Sequence, residues 1–326
     1  TSTWSDYSRT VGGAYAVAVG YHWSFAQFGT VSLAVNKLDV LQFLASGGSS
    51  FENVTAPKGT MVATVGQFVF LADTNEGTYG DQPDRWWCSA NGNYADWVPS
   101  VATESTTGRI IGSPGPIRGI KKFGEQIVIY KTRSMHVGTY VGAPDVWRFD
   151  EVQAQIGAVS DRAIANIGTD SFPKHIFMGI DDFYVFDGSR PTPIGVGWVK
   201  ELVFGEISQQ YTRNCTAVHD LINSRVYFYY PTVTDNTLNR CVVYNYRTKK
   251  WGRDDRVIEC AFEYNSPGVT YGGLGALYST YGSLPNLSYG SSFFSADAPT
   301  VGIFNTSHVA YTLNGPSATS YIVTGD

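Results

Sequence analysis

The sequence predicts an all-β fold, and a hairpin that recurs along the chain is the main observation behind this prediction. Each copy has an apolar strand, a tight polar turn and a second strand rich in β-branched and aromatic residues; the copies are Ala26–Asn36, Ala63–Asp73, Lys121–Lys131, Ala165–Gly179, Ala217–Pro231 and, more loosely, Gly302–Gly315. Helical periodicity is nearly absent, with short helical turns expected only at Asp161–Ile167 and Lys200–Gln209. Copies about 50 residues apart are typical of repeats of four strands. We therefore predict a β-propeller, favouring six blades of mostly four antiparallel strands and leaving five or seven open.

The strands within the repeated units can be assigned from their apolar patterns. Gln126–Lys131 is almost wholly apolar, as expected for a strand covered on both faces, and the alternating segment Ser134–Gly142 follows as the next strand. His175–Gly188 contains two strands joined across the turn Asp181–Asp182, and Arg225–Trp251 contains two strands joined by a longer loop. The second strands of the six copies are predicted to begin near residues 31, 68, 127, 176, 226 and 308. Basic residues expected on an outer edge strand are Arg247, Lys249 and Lys250.

The whole chain, residues 1–326, is predicted to form a single β-propeller domain. Its two ends are expected to pair in one blade, with Tyr15–Tyr21 next to Ser320–Thr324 or to the strand beside it. Tyr264–Ser295, rich in Gly, Ser and Tyr, is predicted to be an insertion between blades; it could lie over the propeller's own face or form a subunit contact. Because the chain opens with Thr1 rather than Met, we interpret it as a fragment of a longer chain.

Composition limits the classes of function. Of the 326 residues 43% are apolar and 14% aromatic, which allows a sizeable core, while only 16% are charged. The net charge of −5 argues against a surface that wraps nucleic acid, which would be basic, but not against a channel through which DNA slides. Cys215 and Cys241 could lie on neighbouring strands, but with Cys88 and Cys260 they are expected to be buried free thiols. No apolar run approaches the roughly 20 residues of a membrane-spanning helix.

A search for catalytic side chains assigns none. The five histidines form no HExxH or HxH pair: His22, His136, His175, His219 and His308. His136, His175 and His308 fall in predicted strands or at strand starts and are expected to be packed or edge residues. The local carboxylates lie in turn-like sequence, where Asp caps the backbone: Asp181–Asp182, Asp187 and Asp254–Asp255. An arginine triad that binds a substrate carboxylate, as in sialidases, could draw on Arg118, Arg133, Arg148, Arg190, Arg213, Arg225 or Arg240. No Asp-box repeat accompanies these arginines in the sequence, which argues against such a glycan-cleaving site. We therefore predict no enzymatic activity and no catalytic, cofactor-binding or metal-binding residue.

Glycine-rich and basic segments are equally unspecific. Gly272–Gly275 lacks the strand-then-helix context and the lysine of a P-loop, and Gly112–Pro116 contains two prolines and reads as a turn. The basic clusters are Lys121–Lys122 and Arg247–Arg253. We interpret Arg247–Arg253 as a solvent-exposed outer strand. The alternative is a basic patch that binds the acidic surface of a partner.

Several blocks, taken together and in order, resemble a known family. They are Tyr21–Phe43, Arg85–Ser100 (RWWCSANGNYADWVPS), Gly115–Val152, Gly179–Gly195 (GIDDFYVFDGSRPTPIG), the pair RVYFYYP and VVYNYRTKKW within Arg225–Trp251, and Gly302–Gly315. This ordered set is similar to the β-propeller tail proteins of tailed bacteriophages, and most of all to the nozzle (distal tail tube) proteins of short-tailed phages. The resemblance covers most of the chain, although single hairpins of this kind occur in other propellers.

The resemblance implies a structural role in the virion tail. Such proteins form a ring, typically a hexamer of copies of the same chain, that continues the DNA channel. The ring docks onto an adaptor or other portal-proximal tail protein, often anchors fibres or spikes, and lets genomic DNA pass without sequence-specific binding. The sequence departs from the family at its beginning, which looks truncated, and in ending at Asp326 just after the last repeat. Missing segments could carry the contacts that close the ring.

A second hypothesis is a glycan-binding or glycan-cleaving propeller that recognises a receptor. It depends on aromatic residues able to stack on sugar rings: Trp86, Trp87, Trp97 and Tyr94. The simpler interpretation of these four residues is packing inside the blades. A cellular interaction platform is the third hypothesis, but WD and kelch signatures are absent from the sequence.

Overall fold

The computed structural model describes residues 5–17, 20–233, 236–266, 274–275, 278, 280–283 and 298–313. Six antiparallel sheets follow one another along the chain, and this confirms the predicted all-β fold class, a β-propeller of six blades. Five sheets have four strands, and the sixth has three strands within the described residues. The chain divides into two compact units, Thr1–Cys215 and Thr216–Asp326.

The first unit contains four sheets, each built from strands that pair in chain order or its reverse. Sheet 1 consists of β1 Ser24–Phe28, β2 Val31–Val35, β3 Gln42–Leu44 and β4 Glu52–Asn53. Sheet 2 consists of β5 Lys58–Val65, β6 Phe68–Glu76, β7 Gly80–Cys88 and β8 Thr106–Arg109. Sheet 3 consists of β9 Ile117–Phe123, β10 Gln126–Lys131, β11 Ser134–Gly142 and β12 Val146–Ala154. Sheet 4 consists of β13 Ile164–Asn166, β14 His175–Met178, β15 Phe183–Phe186 and β16 Thr192–Pro193.

Short helical pieces accompany the fourth sheet. A 3₁₀ turn, Asp161–Ala163, precedes β13, the helix α1 Trp198–Glu206 follows β16, and a second 3₁₀ turn occupies Thr212–Asn214. The helix lies close to the predicted Lys200–Gln209. Only the first half of the predicted Asp161–Ile167 is helical, because Ile164–Asn166 pairs with β14 as a strand.

The second unit contains the remaining two sheets. Sheet 5 consists of β17 Thr216–Asp220, β18 Arg225–Tyr230, β19 Arg240–Asn245 and β20 Lys250–Asp254. Sheet 6 consists of β21 Cys260–Ser266, β22 Ala298–Phe304 and β23 Ala310–Thr312, and a 3₁₀ turn lies at Tyr281–Ser283. An apolar cluster is shared by the two sheets and includes Val218, Tyr229, Cys241, Val301 and Ile303.

The recurring glycine of the hairpins closes two-residue turns. Phe28 pairs with Val31, Val65 with Phe68, and Phe123 with Gln126, so each turn has two residues between its strands. Gly29, Gly66 and Gly124 are the first residues of these turns and have φ values of 56°, 56° and 63°. Glycine adopts this left-handed conformation without the steric cost that a Cβ brings. The glycine pattern in the sequence thus reports three real hairpin turns.

Strand β6 is buried on both of its faces. Phe68, Phe70 and Ala72 contribute to the apolar cluster that lies between sheets 2 and 3, while Val69 and Leu71 contribute to the cluster between sheets 1 and 2. Alternate side chains of a strand point to opposite faces of the sheet, which explains why the whole run is apolar.

Strand β10 repeats this arrangement one sheet further along. Ile127 and Ile129 face the cluster shared with sheet 2, and Val128 and Tyr130 face the cluster shared with sheet 4. The prediction that QIVIYK is covered on both faces is therefore confirmed. The four sheets of the first unit are joined by three continuous apolar layers.

Three sequence predictions need correction or lie outside the described residues. In the hairpin Gly302–Gly315 the second strand begins at Ala310, close to the predicted 308, but it is the third strand of sheet 6, whereas the second strand of the other five copies is the second strand of its sheet. The segment 264–295 was predicted to lie between blades, but it begins within β21 and leads to β22, the partner of β21 in the same sheet. The predicted pairing of the chain ends involves residues 320–324, which lie outside the described residues.

Candidate functional site

A small pocket in the first unit brings three arginines together. Its walls come from the residues around the starts of β1, β5, β9 and β13 and from the 3₁₀ turn at 212–214, so five separate segments converge on it. The pocket has a volume of about 50 Å³. We call it the arginine pocket; its lining residues are Gly20, Tyr21, His22, Trp23, Ser24, Thr60, Met61, Arg118, Ser160, Asp161, Arg162 and Arg213.

Arg213 and Arg118 are held by weak contacts. The guanidinium group of Arg213 lies over the ring of Tyr21, with its carbon 4.5 Å from the ring centre. Arg213 Nη1 is 3.9 Å from Asp73 Oδ2, which is too long for a hydrogen bond. Arg118 Nε donates a long hydrogen bond of 3.4 Å to Thr132 Oγ1. Burial, and next the positive charge of Arg213, lower the pKa of Arg118.

Asp73 is a fully buried carboxylate beside the pocket. It sits at an irregularity in the pairing of β6 with β7 and has a left-handed φ of 53°. Lys37 Nζ lies 2.5 Å from Asp73 Oδ1 and 2.6 Å from Asp81 Oδ1, and Thr60 Oγ1 donates to Asp73 Oδ2 at 2.8 Å. Burial acts to lower the pKa of Lys37, but the attraction and hydrogen bonds of Asp73 and Asp81 together outweigh it and raise that pKa. Because the carboxylate is satisfied by Lys37 and Thr60, it offers Arg213 only a distant counter-charge.

His22 adds a polar group to the same pocket. Its Nε2 lies 3.1 Å from the side-chain oxygen of Asn214. Burial, followed by the positive charge of Arg162, lowers the pKa of His22. The imidazole is therefore neutral at pH 7, and the cationic character of the pocket comes from the arginines.

The sequence named two of the three arginines of the pocket. Arg118 and Arg213 are brought together, and Arg162 was missed because nothing in the turn Asp161–Ala163 marks it in the sequence. The other named arginines lie elsewhere: Arg133 in the turn after β10, Arg148 on β12, Arg190 before β16, Arg225 at the start of β18 and Arg240 at the start of β19.

His136 belongs to a buried cluster with two serines. Its Nε2 lies 3.1 Å from Ser113 Oγ and 3.2 Å from Ser134 Oγ, and the two hydroxyls are 2.6 Å apart. Glu151 is paired with His136 across the strands, but no hydrogen bond joins the two side chains among the described residues. A serine nucleophile needs a base that is itself held by a third group, and no such group contacts His136 within the described part of the chain.

The remaining histidines do not converge on a common centre. His175 is buried at the start of β14, as predicted, and hydrogen-bonds to Tyr130. His219 lies on β17, 3.1 Å from the hydroxyl of Tyr246. His308 was predicted in a strand or at the start of one; it lies in the turn two residues before β23, where Nδ1 is 2.7 Å from Glu259 Oε2.

The predicted carboxylates cap backbone and bind neighbouring cations. Asp182 is buried, accepts hydrogen bonds from the backbone of Phe183 and Gly195, and lies 3.1 Å from Lys200 Nζ. Asp187 accepts hydrogen bonds from the backbone and side chain of Ser189, which lower its pKa. The others contact Tyr184, Arg253 and Arg256: Asp181, Asp255 and Asp254.

A wider groove lies between sheets 2 and 3. It has a volume of about 640 Å³, and Arg109, Asp145, Arg148 and Glu151 are among its lining residues. The ring of Trp86 contacts that of Phe149 with centres 4.7 Å apart, and both residues line the groove. Of the four aromatics proposed to stack on sugars, the three tryptophans are 5–6% exposed, and Tyr94 packs against Phe28 and Phe43.

The basic clusters and cysteines have structural environments. Lys121 and Lys122 pair with Asp161 and Asp170. Within Arg247–Arg253 only residues from Lys250 onwards form the edge strand β20, and Trp251 packs on Tyr244 with ring centres 4.7 Å apart. All four cysteines are free thiols; Cys260 is partly exposed, the others are buried, and Cys215 precedes β17 whereas Cys241 lies on β19, so the two are not on adjacent strands.

Among the described residues, no group of three or more His, Cys, Asp or Glu side chains lies close enough to hold a metal ion. No helix in the described part of the chain is both long and apolar enough to cross a membrane. Gly272–Gly273, half of the glycine string considered above, lies outside the described residues.

Comparisons with known proteins identify no family for this chain. No protein-family model and no curated protein matches the sequence. One similar solved structure is described as "YCF48 bound to D1 peptide"; it is 9% identical with a TM-score of 0.42, over 73% of this chain. The matched part spans 66% of that chain, just under two thirds. A likeness at this level says nothing about the function of this chain.

Proposed function

We propose that this chain is a structural component of a bacteriophage tail, a nozzle or hub ring at the distal end of a short tail. It would form part of the DNA-ejection channel and a docking platform for fibres or spikes. The observation that carries the proposal is the ordered set of sequence blocks that resemble the nozzle proteins. The four central blocks fall in sheets 2 to 5: Arg85–Ser100, Gly115–Val152, Gly179–Gly195 and Arg225–Trp251.

The packing of the sheets supports a mechanical role. Phe68 and Phe70 of sheet 2 both contact Trp147 of sheet 3 edge to face, with ring centres 5.5 and 4.9 Å apart. Aromatic pairs of this kind add about 0.5–1.5 kcal/mol each to the burial of their area. Sheets joined by continuous apolar layers resist deformation, because close-packed interiors have low compressibility. Such stiffness suits a part that keeps its form while DNA is released.

The first proposed partner is this chain itself, in a ring that we propose to be a hexamer. The other protein partners are a tail adaptor or portal-proximal protein, and fibres or spikes. Genomic DNA would pass without sequence-specific binding. Large exposed apolar side chains supply material for permanent protein contacts: Phe172, Val196, Ile111 and Val98. The net charge of −5 would disfavour adhesion of DNA to the protein.

Electron microscopy of the purified full chain tests this proposal. We expect rings with a central pore, or attachment to tails when the protein is added to particles that lack it. A monomer that neither forms rings nor attaches to tails would contradict the proposal.

A glycan-binding or glycan-cleaving propeller is the second candidate. The groove between sheets 2 and 3 favours it, because its volume lies in the range of small-molecule sites and it contains Asp145 and Glu151. Burial of Trp86 leaves little ring surface for a sugar. Turnover or saturable binding of a glycan by a soluble monomer, lost in Glu151→Gln but kept in Glu125→Gln, would favour this candidate over the tail protein.

A further inference from the structure

We propose that the arginine pocket binds one oxyanion group, a carboxylate or a phosphate, between the guanidinium groups of Arg118 and Arg213. The pocket lies within the first unit, and the inference does not depend on the proposed tail function. It follows from the charges around the pocket, the geometry of the two arginines and the size of the space.

The carboxylates nearest the arginines are already used by other donors. Asp161 Oδ1 accepts a hydrogen bond of 3.0 Å from the backbone N–H of Ile120, and Asp161 Oδ2 lies 2.8 Å from Lys121 Nζ. Asp73 is bound by Lys37 and Thr60, as described above. Each of these carboxylates therefore already has a lysine as its counter-ion. The positive charge of Arg118 and Arg213 is not matched by negative charge at hydrogen-bond distance among the described residues.

The two arginines are also arranged to receive a ligand. Tyr21 and the backbone of the 3₁₀ turn hold Arg213, whose own carbonyl accepts a hydrogen bond of 3.0 Å from Ser160 Oγ. Arg118 extends from β9, the strand at one end of sheet 3, and is about half-buried. A guanidinium group presents paired N–H donors that match the two oxygens of a carboxylate or phosphate. An oxyanion between them would relieve the repulsion of two like charges held out of bulk water.

The size of the pocket limits the guest to a single compact group. About 50 Å³ is more than the roughly 10–15 Å³ that a cavity needs to hold one water molecule, and far below the roughly 300–1,000 Å³ of sites for whole small molecules. A sugar ring or a nucleoside does not fit. An inorganic phosphate or a small carboxylate does, and both present the same oxyanion chemistry.

Thermal unfolding of the full chain tests the proposal. The melting temperature is measured at pH 7.5 in sodium chloride, sodium phosphate and sodium acetate of equal ionic strength. We expect phosphate or acetate to raise the Tm above its value in chloride, with saturation as the anion concentration increases. A response to phosphate alone assigns a phosphate guest, and a response to acetate alone assigns a carboxylate guest.

Matched variants locate the effect. Arg118→Gln and Arg213→Gln should each weaken the apparent affinity for the responding anion at least about tenfold. Arg256→Gln removes the same charge from a side chain that is 48% exposed and lies 3.7 Å from Asp254, and it should respond like the wild type. If the arginines had only a structural role, the variants would lower the Tm equally in all three salts.

Calorimetric titration of phosphate and acetate into the wild-type chain keeps the test independent of variant folding. Saturable heat from either anion, absent with chloride, is the expected result. The proposal is overturned if neither anion binds more strongly than chloride, or if the Tm response persists unchanged in both Arg118→Gln and Arg213→Gln.

Discussion

His175 is a buried ionisable residue whose protonation state is determined by its two neighbours. Its Nε2 lies 3.0 Å from the carbonyl oxygen of Lys122, which only accepts, so Nε2 carries the proton. Nδ1 then accepts a hydrogen bond of 2.8 Å from the hydroxyl of Tyr130. Burial lowers the pKa of His175 to about 4. The neutral ring therefore satisfies both partners, and protonation would break this arrangement.

The first prediction concerns the acid stability that follows from His175. Since the folded pKa of about 4 lies below the unfolded value of about 6.5, protons bind the unfolded state more tightly, and stability falls as the pH drops from about 6.5 to 4. A shift of this size corresponds to about 3 kcal/mol. We expect the free energy of unfolding to decline over this range and His175→Gln to show a smaller slope. Part of the pH dependence should remain in His175→Gln, because burial also lowers the pKa of His22, His136 and His219.

The control for this prediction is His308→Gln, which alters a side chain that is 79% exposed and should leave the slope unchanged. Denaturant titrations at a series of pH values measure it. An identical pH dependence in the wild type and His175→Gln would show that His175 is not the group responsible.

At the scale of single residues, the sequence predicted whether a residue is buried better than it predicted long-range contacts between side chains. A histidine inside an apolar strand, such as His175, is recognisable as packed. The presence of Arg118 and Arg213 in one pocket could not be recognised from the sequence, because nearly a hundred residues separate them along the chain. Only the packing of the sheets brings them together.

At the scale of elements, the two-residue turns with a left-handed glycine define the hairpins. Gly66 joins β5 to β6 with a φ of 56°, and no atom lies within 4 Å of the position that a Cβ would occupy. Replacement by alanine would therefore cost only backbone strain, without a clash. This makes Gly66 a clean position for measuring what the recurring glycine contributes.

The second prediction is that Gly66→Ala lowers the free energy of unfolding by about 1–2 kcal/mol, the cost of a left-handed alanine. Gly77→Ala is the matched control, since Gly77 also has open space around it but lies outside the left-handed region. We expect the control to stay within about 0.5 kcal/mol of the wild type. Chemical denaturation of both variants measures the difference, and equal stabilities would refute the role of the turn.

Most elements could be predicted because each strand carries its own signal. The turns with glycine and the run of alternate side chains in β6 and β10 are local patterns. The sixth sheet was predicted less well, because a connection of more than thirty residues separates β21 from β22 and hides their pairing. Strand β16 could not be predicted either, because it consists only of Thr192 and Pro193 and two residues are too few for a periodic pattern.

At the scale of the whole molecule, six consecutive sheets account for the repeat in the sequence. Within the first unit, three apolar layers join four sheets, and this packing follows from strands that are apolar on both faces. The fold itself has no preferred function, so the tail role depends on the ordered blocks and not on the propeller. Partners cannot be inferred from strand patterns, because contacts between chains leave no periodic signal within one chain.

The measurement that tests the tail role most directly is a three-dimensional reconstruction of the assembled phage particle. We predict that copies of this chain surround a central pore at the distal end of the tail, with the six sheets of each copy recognisable in the map. A particle whose tail lacks the chain, or in which the chain occurs only as isolated copies away from the channel, would contradict the account.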